Sequence, residues 1–523
     1  MDLHAALPTI AASLLILIVS NLLWKLRTHR RQFQHLPKPP HSFWFGNIYP
    51  FFKALKQFPG NPPFSAVLSL LQNQYNLPDV FYIDIWPLLR EPFLVTSNLA
   101  VADRLLNDYT RHPAVLGTGL QPLVGGSRGL VSPNRSEWHD SRGSIRVAFS
   151  VNNVMHYLPE MAEYSMLLRQ ELLSHATTGR RFPLVETVER WGADLTFRFL
   201  VGDDTAVQQG GWGASVNADV QTIIEQADGS VPWNPWTRRQ RRKRRETCQE
   251  RVRTLIQTSL IHALKRHGPT QSNKFVPLLD ALAIRYREEN PGRSDWKPDV
   301  LIQHVDTVMT LFLVADVSSM VLSYVYAYIA QNPAVALELR KEHSAAFPGD
   351  VNDTLTEFRQ NPGKIRQLPY TTAVIKESMR LRPPGVSATA APKGHTINYE
   401  GVEHSLEGKL LYANIARLQS NDTYAPDPFT FDPSRWLPSP VADLANSWRR
   451  FQRGQHSCMG ENMIMPGLVT ALLLTVRDID FSLAYDESDV ALSPEFGGLV
   501  YMDGQFAAKP AKGLPVTVKA LSR

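Results

Sequence analysis

Phe451-Gln452-Arg453-Gly454-Gln455-His456-Ser457-Cys458-Met459-Gly460 is the stretch on which the reading of this chain turns. It holds one of only two cysteines among 523 residues and sets around it Gly454, Gly460, the aromatic ring of Phe451 and the imidazole of His456. Glycines on both sides let backbone pass close beneath a flat ligand, and Phe451 can cover the sulfur. The residues after Cys458 read as a helix whose first amides face a thiolate. A lone cysteine is more often a buried, inert side chain. Four fixed positions at this spacing argue against that reading.

The stretch resembles the haem-binding loop of the cytochrome P-450 family, F-x-x-G-x-x-x-C-x-G. The resemblance implies that Cys458 is the axial ligand to the iron of haem b (iron protoporphyrin IX), where a thiolate pushes electron density toward bound dioxygen and favours O–O cleavage. Phe451 and Gly460 are then haem contacts. The family usually carries arginine two residues before the ligand, donating to a propionate. His456 stands there and is expected to do the same.

The resemblance runs from about Pro37 to the C-terminus. It implies a mainly α protein with small β-sheets, the cytochrome P-450 fold: a triangular helical domain around a buried haem, behind an N-terminal transmembrane helix. Three segments follow: residues 1–26 as anchor, 27–46 as a basic and proline-rich linker, 47–523 as catalytic domain. Length alone would suggest domains of roughly 150 residues, but no break in composition supports a division, and 43% hydrophobic residues can fill one large core.

Two cysteines, Cys248 and Cys458, give no disulfide framework and suit a reducing compartment. The net charge is +6, yet Arg238, Arg239, Arg241, Arg242, Lys243, Arg244 and Arg245 form one run; without those seven charges the balance is −1. Basicity is local, so charge gives no argument for a nucleic-acid partner. The run, with Trp233 and Trp236 before it, reads either as a solvated helix start or as a face for anionic lipid headgroups.

Ala5 to Trp24 is almost entirely apolar and uncharged. Twenty residues rising about 1.5 Å each match the roughly 30 Å hydrocarbon core of a bilayer. No Lys or Arg precedes it, while Lys25, Arg27, Arg30 and Arg31 follow. By the positive-inside rule the N-terminus is luminal and the rest cytosolic; a cleaved signal would carry its charges on the other side. A single-pass protein of the endoplasmic reticulum membrane is the expectation. Pro37-Lys38-Pro39-Pro40 then makes a stiff connector, similar to the proline-rich hinge of microsomal members of the family.

Val80 to Ile85 reads as a strand. Gly117-Thr118-Gly119 and Gly125 to Gly129 lack the order of a dinucleotide site and read as flexible loop. Trp138 and Arg142, four apart, share a helical face. They resemble the family's W-x-x-x-R helix, which implies that both hold a haem propionate.

From about Val300 to Ala330 the pattern is one helix, apolar nearly all round and therefore buried. It resembles the family's central helix, A/G-G-x-D/E-T-T/S, and the register set by Asn332-Pro333 makes Asp316 the acid, Val317 the residue in the catalytic threonine's place and Ser318 the next hydroxyl. Val317 cannot deliver protons: Asp316, Ser318 and ordered water carry the relay, or the substrate's own hydroxyl does, or the reaction needs no ordinary oxygen activation, and a one-residue shift of register would put Ser318 in the threonine's place. Asp316 and Ser318 are the candidate catalytic residues, and Val317 lines the pocket.

Glu377 and Arg380 meet at i, i+3. With Phe431-Asp432-Pro433-Ser434-Arg435-Trp436 downstream they resemble the family's Glu-Arg-Arg network, with Arg435 third, a buried cluster that holds the cysteine loop. Val386 to Thr389 should pass near substrate. Lys393, after Pro392, stands where the family has a propionate-contacting arginine. Met459 to Leu474 reads as a helix despite Pro466-Gly467, an uncommon interruption that can kink it.

The resemblance therefore implies a haem-thiolate monooxygenase that puts one oxygen atom from O2 into an apolar small molecule, by hydroxylation or epoxidation. The texture resembles fungal members that tailor secondary metabolites. NADPH would act only through a separate NADPH-cytochrome P-450 reductase, with cytochrome b5 as a further donor, because the chain shows no flavin or nicotinamide domain. The rivals are an isomerase, dehydratase or desaturase of the same fold, suggested by Val317, and a non-enzymatic haem-binding or sensor protein.

Overall fold

The computed structural model describes residues 3–111, 116–228, 234–266, 274–385, 388–421, 425–438, 444, 447–505 and 507–521. Its contacts gather into two compact units: residues 1–58, 65–109 and 387–414 in the first, and 59–64, 110–386 and 415–523 in the second.

The first unit begins with α1 (Leu3–Arg31). Residues 12–25 of this helix are exposed, whereas Leu26 and Arg30 are buried. The proline connector then runs beside a small sheet, where Tyr82 N–H donates to Pro37 O at 2.9 Å and Asn47 Nδ2 donates to Pro39 O at 2.9 Å. Short α2 (Ile48–Leu55), α3 (Phe64–Gln74) and α4 (Leu99–Asp108) follow, α4 capped by the Asn98 side chain, which accepts from Val101 N–H. Strand Val80–Ile83 pairs antiparallel with Phe93–Thr96, which runs parallel to Leu410–Ala413; that strand pairs antiparallel with Ala388–Ala390. The first strand stops two residues short of the expected Ile85, because Asp84 turns its carboxylate onto His29, Arg30 and His41.

The second unit is built of long helices. In order these are α5 (Arg135–Ile145), α6 (Val151–Thr178), α7 (Leu184–Val201), α8 (Trp212–Asp228), α9 (Pro235–Lys265) and α10 (Leu278–Glu289). Then come α11 (Pro298–Val314), α12 (Asp316–Gln331), α13 (Pro333–Ala346), α14 (Val351–Gln360), α15 (Pro369–Leu381) and α16 (Glu461–Thr475). Side-chain caps start several of them, Asn134 for α5, Ser150 for α6 and Asn234 for α9, each satisfying an otherwise orphaned N–H. The strand Pro515–Ala520 pairs with Ile479–Leu483 and with Phe182–Pro183, and Met502–Asp503 pairs with Lys509–Pro510.

Two expectations are corrected by geometry. The central helix is two helices that meet at Ala315, where Ala315 N–H reaches back only to Phe312 O and Ser318 N–H to Ala315 O, both at 3.3 Å. Together they are long and apolar enough to cross a membrane, but they lie mostly buried inside the unit, as the core helix of a globular domain does. The loop after Gly125 is tied down: Arg128 N–H donates to buried Asp306 at 2.9 Å and Arg128 Nε to Glu137 at 2.9 Å. α16 runs unbroken through Pro466, with Leu468 to Thr475 all buried. The seven-charge run lies on the first turns of α9, largely exposed.

Candidate active site

The cysteine loop closes on itself. Cys458 N–H donates to Phe451 O at 2.7 Å, and the turn between them uses a positive φ of +70° at Gly454, a region open to glycine at little cost. Phe451 is buried and Trp448 packs near it, ring centroids 6.4 Å apart. Past the loop, α16 starts after Gly460, so the N–H groups of Gly460 and Glu461 point at Cys458 Sγ. The thiol keeps exposed surface. The protein around the sulfur still raises its pKa by desolvation, while those two N–H groups and the Arg142 charge pull it down.

α5 delivers the next residues. Trp138 and Arg142 share a face as the spacing requires, with the Arg142 guanidinium carbon 5.6 Å from the Trp138 ring centre. The Trp138 and His456 rings lie 4.4 Å apart. Arg142 Nη2 donates to the carbonyl of Ser457 and, at 3.2 Å, to its hydroxyl. Sequence reasoning missed this grip on the residue beside the cysteine, because a backbone carbonyl leaves no signature in the sequence. Desolvation lowers the Arg142 pKa, and no carboxylate partners this half-buried cation among the described residues.

Behind the loop sits the acid-base network. Arg380 Nε and Nη2 donate to Glu377 Oε2 and Oε1, each at 2.8 Å, with both side chains wholly buried. Arg435 Nε stands 3.4 Å from Glu377 Oε1, and Trp436 Nε1 donates to Oε2 at 2.8 Å. Arg380 also donates to the carbonyls of Pro428 at 2.7 Å and Gln419 at 3.2 Å. Arg450, next to Phe451, donates to Arg380 O; burial and then the Arg380 charge push its pKa well down. The network thus reaches the start of the cysteine loop through Arg450, which no motif marked.

On the central helix, neighbouring residues face different ways. Asp316 is buried: Gln221 Nε2 of α8 donates to Oδ1 at 3.1 Å, and Lys509 Nζ lies 3.0 Å from Oδ2. Lys509 also pairs with Glu189 of α7 and donates to Gln221 Oε1 at 2.9 Å. Burial opposes the charge on Lys509, but Asp316 and Glu189 outweigh it and raise its pKa; the Glu189 pKa is raised too, by burial first and despite Lys509. Ser318 donates back to Ala315 O at 2.7 Å and packs toward Gly192 of α7, where a Cβ would come 3.2 Å from its Oγ. The accessible positions in this stretch are Leu311, Val314 and Val317, spaced three apart on one face.

Lys393 belongs to the first unit and is exposed there. Val386 and Trp233 lie outside the described residues, while Thr389 is a buried strand residue of the first unit.

The donor set fits a haem. One sulfur with helix-start amides aimed at it can ligate iron, Arg142 has no acid partner among the described residues and can hold a carboxylate arm, and Phe451 and the Leu311–Val314–Val317 face are apolar.

The sequence model of the family described as Cytochrome P-450 matches residues 45–506. The chain is 24% identical over 509 residues to the cytochrome P-450 monooxygenase ptmJ of Penicillium ochrochloron, covering 96% of this chain and 95% of that one. It is 26% identical over 486 residues to the cytochrome P-450 monooxygenase polC of Polytolypa hystricis, covering 90% and 86%. Among solved structures it is similar to a cytochrome P-450DA haem domain, with a TM-score of 0.71 at 15% identity, covering 93% of this chain and 97% of that one.

Proposed function

The chain belongs to the cytochrome P-450 family, and on that premise we propose that it is a membrane-anchored haem-thiolate monooxygenase inserting one oxygen atom from O2 into an apolar small molecule, in secondary-metabolite biosynthesis. The observation that carries the reading is the pairing of Cys458 Sγ with the N–H groups of Gly460 and Glu461 beside an Arg142 that has no carboxylate partner among the described residues. When bound, the haem supplies the oxygen activation, and the protein supplies orientation and electrostatics.

The chain's own residues then divide the work. Cys458 ligates iron, with its loop held by Arg142 through Ser457. Trp138, Arg142 and His456 form the propionate side. Leu311, Val314 and Val317 offer substrate an apolar wall. Asp316, ion-paired with Lys509, is the first candidate for moving a proton next to that wall, and Ser318 is a second, weaker candidate because its hydroxyl proton is spent on Ala315 O. Electrons come from NADPH-cytochrome P-450 reductase, with cytochrome b5 as a further donor. The exposed apolar side chains Leu14 to Trp24 on α1 support anchoring in the endoplasmic reticulum membrane, with the catalytic part cytosolic.

Val317 on the accessible face favours one second reading, an isomerase, dehydratase or desaturase without net oxygen insertion. Turnover independent of O2 and NADPH would select it.

The carbon-monoxide difference spectrum of the reduced protein tests the first reading. A red-shifted thiolate-type Soret band is expected in the native chain and absent in Cys458→Ser. Identical spectra would remove Cys458 as ligand and the proposal with it.

A further inference from the structure

Arg450 is a cation enclosed without a counter-ion. It is 7% exposed, and of the nitrogens of its guanidinium only Nη2 has a partner, the carbonyl of Arg380; neither Nε nor Nη1 meets an acceptor among the described residues. A guanidinium does not shed its proton inside a protein. Burial therefore cannot silence this charge as it can silence a lysine's.

The acids around it are already taken. Glu377 accepts from Arg380 on both oxygens, from the Asp432 N–H at 3.1 Å and from Trp436 Nε1 at 2.8 Å, with Arg435 Nε at 3.4 Å. Asp432 lies 3.9 Å from Arg435, and its side chain is 41% exposed. Arg380 and Arg435 thus have these two carboxylates between them, and Arg450 forms no ion pair among the described residues. The Arg380 charge opposes that of Arg450 more than Glu377 offsets it.

That imbalance names the occupant by its chemistry. An uncompensated enclosed charge is among the costliest features a fold can hold. Ordered water would satisfy the free N–H groups and leave the charge standing; a negative ion does both. Enclosure favours a small ion over a phosphate or a dicarboxylate, and a single negative charge is what the three arginines lack once Glu377 and Asp432 are assigned.

We propose that the unpartnered N–H groups of Arg450 hold a chloride ion, the missing counter-ion of the arginine cluster behind the cysteine loop. The site stands one residue before Phe451, whose carbonyl closes the turn onto Cys458 N–H, so the ion steadies the loop's entry and touches no reacting atom. The inference is independent of which reaction the chain performs. Enclosed water and a haem carboxylate arm are the competing occupants.

The test uses the full haem-loaded chain in detergent, with thermal midpoints measured as sodium chloride replaces sodium gluconate at constant ionic strength. The native midpoint should rise by a few degrees and level off as one site fills. Arg450→Met, of similar length and uncharged, should give a midpoint that chloride does not move. A native midpoint indifferent to chloride overturns the proposal and gives the place to water or to a haem carboxylate. A rise that Arg450→Met shares overturns it too, by putting the ion elsewhere. Should that variant fail to fold, the native chain still decides: crystals grown with bromide in place of chloride should show an anomalous scattering peak within hydrogen-bond reach of the Arg450 guanidinium, and its absence overturns the proposal.

Discussion

Lys509 of the tail strand and Asp316 beside the break in the central helix form an ion pair, Nζ 3.0 Å from Oδ2, with the aspartate side chain almost wholly enclosed. Removing one partner of such a pair leaves the other charge buried without compensation. Lys509→Met should therefore destabilise the folded chain by about 3 kcal/mol, at the lower end for enclosed pairs because Lys509 keeps some solvent contact. The shift in denaturant midpoint at constant slope measures it. An unchanged midpoint would mean that Asp316 turns to solvent when released.

Glu189 gives that cluster a pH signature. Its carboxyl pKa is raised in the fold, so the stability tied to it is fully present below the unfolded value near 4.5 and is lost as pH rises through the folded value. Glu189→Gln keeps an acceptor for Lys509 and abolishes the loss. The variant should match the native chain in acid and become the more stable of the two as pH rises toward neutrality. Parallel stability curves would contradict this.

Glu377→Gln should cost more than any surface substitution, about 3–5 kcal/mol, because Arg380 and Arg435 lose the one anion they share. Since Arg450 links Arg380 to the cysteine loop, the purified variant should also retain less haem per chain. A variant that unfolds more easily yet loads haem normally would disconnect the network from the loop.

Val317→Thr puts a hydroxyl on the accessible face of the central helix. With a reductase and substrate supplied, a smaller share of the NADPH consumed should appear as hydrogen peroxide, whereas Ser318→Ala should leave that share nearly unchanged, its proton being donated to Ala315 O. The opposite pattern would assign proton delivery to Ser318.

Much of this site was legible in the sequence because its parts are local. The Phe451–Cys458 loop, the Trp138–Arg142 face and the Glu377–Arg380 pair each fall within one turn or one helix, where spacing dictates proximity. Arg435 and Trp436 came with a short motif. Lys509, Glu189 and Gln221 did not, because they meet only when a tail strand and two helices pack together, and none has a spacing to betray it. The break at Ala315 was hidden for a related reason: apolar periodicity continues through it, and no Gly or Pro announces it. Neighbouring residues also changed meaning, since a one-residue step rotates a side chain by about 100° and turns Asp316 and Val317 toward different surroundings.

One bond in the cysteine loop bears on how the enzyme matures. The peptide N–H of Cys458 is satisfied at 2.7 Å by Phe451 O, a contact between two points of the polypeptide itself. The sulfur's position is thus set in part by the chain's own backbone, and that part of the ordering entropy falls on folding. A loop closed in this way asks less rearrangement of the polypeptide when a cofactor is taken up.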